Sequence, residues 1–261
     1  MYFLYYSSFR FVDIALCVTN KFTMSYDKFI YNRIHPSNKR FLIMMLAVKK
    51  FVRSTLTKND AMNHLLNMRD LQNYFEGIGW FNSVNEKLPV DQNGDCLPWY
   101  TYPAISFLEE RISSDLSVFE YGSGNSTLWW SKRVSNVVSY EHDFGWYSIL
   151  KGKVPGNVSY NHCALEKGGE YSKAVLSDSN KYDVVIIDGR DRINCAMNSL
   201  ESLREGGVIV WDNSDRDQYK EGYDFLLDNG FRRLDFFGLG PINAYPWCTS
   251  VFYKNNNCFG I

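Results

Sequence analysis

From Leu116 to the end of the chain, apolar runs and amphipathic stretches take turns. Strand-like runs are LSVFEY (116–121), VVSYEH (137–142), NVSYNHC (157–163), YDVVIIDG (182–189) and GGVIVWDN (206–213). Helix-like stretches occupy 125–134, 144–151 and 192–204 between them, and DQYKEGYDFLLDNG (217–230) follows as a further helix. Two more strands, FRRLDFFGL (231–239) and TSVFYK (249–254), close the series and can pair antiparallel at one edge. Strands alternating with helices predict βαβ units and a mostly parallel sheet. Unbroken apolar runs such as VVIID suit strands covered on both faces.

The part before Leu116 reads differently. Residues 1–57 form an aromatic, basic extension, in which 38–56 is helix-friendly with basic flanks around an apolar centre. That helix either packs on the main domain or rests as a basic amphipathic helix on an anionic membrane surface. A third reading of this segment puts the true start at Met24 or Met44. Residues 58–114 form a helical lead-in: a helix over 59–77 capped by Asn59 or Asp60, a turn-rich substrate-side loop (85–99) with Pro89, Asn93-Gly94 and Pro98, and an amphipathic helix over 103–113. The main domain is expected over 115–254, with a tail at 255–261.

Charge sharpens this division. The net charge is -1, yet residues 1–58 hold 10 Lys/Arg against 2 Asp/Glu, leaving 18 against 27 in the rest. An acidic body argues against nucleic acid as a partner. The six cysteines form no C-x-x-C pair, and no basic segment precedes the first apolar run, so a cytoplasmic, reduced protein without a signal peptide is expected. No stretch reaches the length of a membrane span.

Ligands of open α/β sheets bind beyond the carboxyl ends of the strands, and there this chain collects acids: Glu120 before Gly122-Ser-Gly124-Asn125, Glu141 with His142 and Asp143, Asp188-Gly189, and Asp212-Asn213. The glycines permit a sharp turn and a close backbone approach to a ligand. The dinucleotide fingerprint Gly-x-Gly-x-x-Gly is broken, because Thr127 stands at its third glycine, and the Lys-Ser/Thr ending of a P-loop is absent. Glu141, 19 residues beyond Gly122, is placed to accept hydrogen bonds from ribose hydroxyls. A nucleoside site follows.

Together, FEYGSGNST, SYEHD, YDVVIIDG and GGVIVWDNSD resemble the successive motifs of class I S-adenosylmethionine-dependent methyltransferases over about residues 100–254. PWYTYPAISFLEERI and FFGLGP further resemble a bacterial group associated with surface-polysaccharide and secondary-metabolite genes. The resemblance implies an α/β fold with a Rossmann-like, seven-stranded, mostly parallel sheet whose last strand is antiparallel, here with an N-terminal helical extension. It implies S-adenosylmethionine as cofactor, with Gly122, Gly124 and Asn125 beside its methionine part, Glu141 at the ribose, His142 and Cys163 near the adenine, and Asp188 near the methyl-transfer centre. Glu120 faces the ligand amine or a neighbouring backbone.

For the chemistry, a hydroxyl nucleophile needs a base or a metal. Asp188 and Asp191 are the candidate catalytic residues, with Asp215 behind. Asp188, Asp212 and Asn213 could hold Mg²⁺, or Asp212-Asn213 could be a turn or cap pair. Arg190, Arg192 and Arg216 either clamp an acidic substrate or pair with Asp191, Asp215 and Asp217. Tyr245 and Trp247 could stack on a planar or sugar acceptor. The expected activity is O-methylation of a sugar or another small hydroxyl compound; a nicotinamide-dependent oxidoreductase and a non-catalytic binding protein are the alternatives.

Overall fold

The computed structural model describes residues 36–177 and 181–261, without the side chains of 36–42 and 45. The aromatic stretch at 2–18, Cys17 and Met24 lie outside the described residues. The chain divides into two compact units between Asn73 and Tyr74, inside a helix, rather than at the expected boundary after residue 57.

The first unit contains helix α1 (Pro36–Leu56) and most of α2 (Asp60–Gly77). Asn59 caps α2 as expected: its side chain accepts from the backbone N–H of Met62 at 3.2 Å. Arg53 bridges the helices to Asp70 at 2.5 Å. Ile43, Met44, Val48 and Phe51 are exposed on α1, and α2 buries no residue. Among the described residues no helix is long and apolar enough to cross a membrane.

The second unit opens with α3 (Trp80–Glu86) and α4 (Tyr102–Glu109), then enters the sheet. In chain order come β1 (Ser117–Tyr121), α5 (Asn125–Ser131), β2 (Asn136–Glu141), α6 (Phe144–Lys151), β3 (Val158–His162), α7 (Glu170–Lys173), β4 (Tyr182–Ile187), α8 (Arg192–Ser199), β5 (Leu203–Asp212), α9 (Lys220–Asp228), β6 (Arg232–Gly238) and β7 (Trp247–Tyr253). The seven strands lie in the order β3-β2-β1-β4-β5-β7-β6. The first five run parallel, and β7 inserts antiparallel between β5 and β6. This is the expected Rossmann-like α/β sheet, and its final two strands pair antiparallel at one edge, as the sequence predicts.

The two-residue period of the strands assigns the core. Val118, Val184, Ile186, Val208 and Val210 face one layer, where α4 and α5 contribute Ala104, Leu108, Trp129 and Trp130. Phe119, Tyr121, Val185, Ile187, Ile209 and Trp211 face the other, against Tyr171, Cys195, Tyr223 and Leu226. Both faces of β1 and β4 are thus covered, which is why their sequences are apolar without alternation.

Two expectations are corrected here. The helix expected over 192–204 stops at Ser199, and β5 begins at Leu203, ahead of the Gly206-Gly207 turn. Residues 255–261 are not a loose tail: Cys258 N–H donates to the Gly206 carbonyl at 2.8 Å, and Phe259 is buried in the core. A side chain on Gly206 would strike the Asn256 carbonyl oxygen at 2.6 Å, so the glycine lets this closing segment lie flat.

Candidate functional site

The strand order reverses between β1 and β4, so the loops leaving their carboxyl ends diverge and open a crevice. Two adjoining cavities of about 420 and 550 Å³ lie there, sharing Trp99, Ser123 and Asp188. Volumes of this order suit small-molecule ligands.

The loop after β1 bends sharply because Gly122 takes φ 85°. A Cβ on Gly122 would stand 2.7 Å from the Gly189 nitrogen and Cα, and one on Gly189 would stand 2.0 Å from the Tyr171 hydroxyl. The two turns therefore touch backbone to backbone. Gly124 differs. Its backbone is extended, a Cβ there would meet nothing within 4 Å, and it lines the smaller cavity. Packing within the chain does not demand that glycine.

Asn125 lines the same cavity and donates to the Pro89 carbonyl at 2.8 Å. That bond holds the 85–99 loop, whose Lys87, Leu88, Pro89 and Trp99 form a wall of the cavity. The loop is fastened beneath by Ser83, whose hydroxyl donates to the Val90 carbonyl at 2.6 Å. Trp146 closes another side and donates from its indole to the Ser123 carbonyl at 2.8 Å.

Glu141, at the end of β2, lines the larger cavity, although its carboxylate is nearly buried. Oε2 accepts from the Ser123 N–H and hydroxyl, both at 3.0 Å; Oε1 accepts from Asp143 N–H at 2.8 Å and lies 2.9 Å from His142 Nδ1. His142 lines the cavity beside Glu141. Cys163 is joined to this end by its N–H, which donates to the Glu141 carbonyl at 2.9 Å, but it does not line the described cavities.

Glu120 is not a ligand-facing residue. It is fully buried and lines neither cavity. Its carboxyl accepts from Ser126 at 2.6 Å, Thr127 at 2.5 Å and Ser139 at 2.7 Å, tying β1 to α5 and β2. Burial pushes its pKa up to about 7, against those three hydroxyls. Asp191 also fails to line the cavity. One of its oxygens accepts from Gly168 N–H at 2.7 Å and the other from the Asn194 amide at 2.8 Å. It holds a loop to the start of α8, which removes it as the expected base.

Asp188 and Asp212, at the ends of neighbouring β4 and β5, both line the larger cavity, and Asp188 also reaches the smaller one. Burial raises the pKa of Asp188 well above the ordinary carboxylate range; the nearby Asp212 charge raises it further and Arg192 opposes. Asp212 is raised to about 6, chiefly by burial. Its Oδ1 accepts from the Trp247 indole at 2.9 Å and the Thr249 hydroxyl at 2.6 Å. Trp247 is thereby a structural anchor of Asp212 as well as a cavity residue.

The cation of this pair is Arg192. Its guanidinium donates to Asp188 Oδ1 at 3.1 Å, to the Asp188 and Gly189 carbonyls at 3.0 and 2.9 Å, and to the Asp212 carbonyl. The expected Mg²⁺ set of Asp188, Asp212 and Asn213 does not fit this arrangement. Arg192 already occupies the inner side of the pair, and Asp212 Oδ1 is taken by two donors. Asn213 sits at φ 51°, a turn conformation that asparagine tolerates better than most residues. Among the described residues no group of three or more His, Cys, Asp or Glu could hold a metal ion.

Asp215 lines the outer part of the larger cavity, with Oδ1 accepting from Cys248 N–H at 3.1 Å. Exposed Tyr245, Arg190 and Arg216 line the same cavity. Sequence reasoning assigned no role to Lys87, Trp99, Ser123 or Trp146. Trp99 carried a signal as the last residue of the loop expected on the substrate side.

No protein-family model matches the chain, and no curated protein does either. Among solved structures, it is similar to precorrin-6y C5,15-methyltransferase from Geobacter metallireducens, at 17% identity and TM-score 0.47 over 66% of this chain and 97% of that one. It is similar to SMU.1697c from Streptococcus mutans in complex with SAH, at 14% identity and TM-score 0.42 over 57% and 94%. An rRNA methylase from Streptococcus thermophilus follows at 16% identity and TM-score 0.41 over 59% and 98%. At these identities and scores the likenesses carry nothing about substrate or residue roles.

Proposed function

We propose that this chain is an S-adenosylmethionine-dependent methyltransferase acting on the oxygen of a sugar or another small hydroxyl compound. The observation that carries the reading is Gly124: a glycine that the packing of the chain does not require, lining the cavity where the strand order reverses. The touching turns at Gly122 and Gly189 form the floor of the cradle, and Glu141 stands where ribose hydroxyls are held in nucleoside sites. The broken dinucleotide fingerprint favours a mononucleoside over NAD.

The cofactor would supply a sulfonium-bound methyl group: the acceptor oxygen forms the new C–O bond as the C–S bond breaks and its electron pair returns to sulfur. The protein's share is to align the reactants and to accept the hydroxyl proton. Gly122, Gly124 and Asn125 would border the methionine end, Glu141 and Ser123 the ribose, and His142 the base. Asp188, common to both cavities, is the proposed proton acceptor. Asp212 tunes it through charge, and Arg192 fixes its orientation. No step needs a divalent ion. Trp99 and Tyr245 offer aromatic faces on the acceptor side.

Calorimetric titration with S-adenosylmethionine, S-adenosylhomocysteine and NAD tests this directly, in the wild type and in Gly124→Val. A Cβ at 124 has open space, so the variant should keep its melting temperature and lose the sulfonium ligand. Binding of NAD in preference to the sulfonium, or undiminished sulfonium binding in Gly124→Val, would overturn the reading.

A further inference from the structure

Three arginines line the larger cavity, but they do different work. Arg192 is buried and spends its guanidinium on Asp188 and three backbone carbonyls. Arg190 and Arg216 are exposed, lie just beyond the ends of β4 and β5, and line the same cavity. Neither side chain makes a hydrogen bond or ion pair among the described residues. Of the acids that could have neutralised them, Asp191 holds Gly168 and Asn194 and Asp215 Oδ1 takes the Cys248 N–H, and among the described residues none of Asp191, Asp215 and Asp217 forms an ion pair with either arginine. The expected choice between a substrate clamp and a solvated ion-pair network thus loses its second branch.

We infer that Arg190 and Arg216 bind an anionic oxo group, phosphoryl or carboxylate, carried by the methyl acceptor. This rests on the methyltransferase reading for the word acceptor, though not for the anion site itself. Planar guanidinium forks match the oxygens of either group. The inner end of the cavity carries the carboxyls of Asp188 and Asp212 and offers an anion no free cation, because Arg192 is already spent, while the two exposed arginines attract it. The acceptor is therefore drawn in with its hydroxyl toward Asp188 and its charged end toward the mouth. An uncharged sugar gains nothing from these arginines.

The test is a titration of the full chain, saturated with S-adenosylhomocysteine, with inorganic phosphate, glucose 6-phosphate, glucuronate and glucose. The wild type should bind the phosphate probes or glucuronate, with affinity falling as salt is added, and should not bind glucose comparably. The stronger of the two anionic arms identifies the group. Arg190→Gln and Arg216→Gln should each weaken the anion by about 10-fold or more while leaving S-adenosylhomocysteine affinity unchanged. Equal anion binding in wild type and variants, or glucose binding as tightly as the anions, would overturn the inference. So would loss of S-adenosylhomocysteine in the variants, which would give the arginines to the cofactor. If S-adenosylhomocysteine does not bind even the wild type, the methyltransferase reading fails alone; the same phosphate titration without it still decides whether the arginines form an anion site.

Discussion

A side chain on Gly122 would stand 2.7 Å from the backbone nitrogen of Gly189. These two residues belong to turns 67 positions apart, brought together because β1 and β4 are neighbours. Gly122→Ala should therefore fail twice. The φ of 85° costs about 1–3 kcal/mol for a residue with a Cβ, and the contact forces the two turns apart. Urea denaturation should show a loss of at least that size, with S-adenosylmethionine binding lost as well. A variant as stable as wild type would mean that the turns separate freely.

Glu120 gives the fold a pH dependence of unusual sign for a carboxylate. Its folded pKa of about 7 lies above the ordinary 4.5. Folding therefore favours the protonated form: the contribution is complete below about pH 4.5 and is lost as pH rises through about 7. Glu120→Gln is neutral throughout. The stability of the wild type relative to this variant should fall by up to about 3 kcal/mol between pH 4.5 and 8, read from denaturation midpoints at each pH. A constant difference would show that Glu120 is ionised at all these values.

Asp188 and Asp212 make a pair whose members can be told apart kinetically. With a base held protonated by burial and by its neighbour's charge, turnover should rise with pH along a limb lying above the usual carboxylate range. Asp212→Asn removes the second cause of that shift and should move the limb to lower pH. Asp188→Asn should reduce kcat by about 10²-fold or more at pH values above the limb, and should flatten the limb itself. Rates would be measured on the best substrate from a panel of hydroxyl acceptors. A limb unmoved in Asp212→Asn would dissociate the two residues.

Arg192 occupies the place expected for a metal. Turnover should thus be unchanged after exhaustive treatment with EDTA and should gain nothing from added Mg²⁺. Arg192→Met, which leaves half-buried Asp188 without its cation beside buried Asp212, should lower stability by about 3 kcal/mol. Restoration of EDTA-treated activity by Mg²⁺ would reinstate the metal reading.

Much of the architecture was written locally. The helix at 144–151 was read to the residue, and every strand of the sheet was found within three residues of its ends. The reason is physical. Strands buried on both faces leave unbroken apolar runs, and the acids and glycines at their ends mark where the chain leaves the sheet. The strand ends also point to Gly122, Gly124, Asn125, Glu141, His142, Asp188 and Asp212, all of which line the cavities.

What stayed illegible depends on contacts between distant residues. Sequence gave Glu120 and Asp191 the same rank as Glu141 and Asp188, because all four are acids at or just past strand ends. Tertiary structure turned Glu120 under α5 toward three hydroxyls and tied Asp191 back to Gly168. The place of β7 between β5 and β6, the burial of Phe259, and the wall built by Lys87 and Trp99 are likewise pairings across long stretches of chain. Periodicity reports which face of an element is apolar. Which partner meets that face, and which of three arginines is spent inside the protein, is decided only when the elements pack.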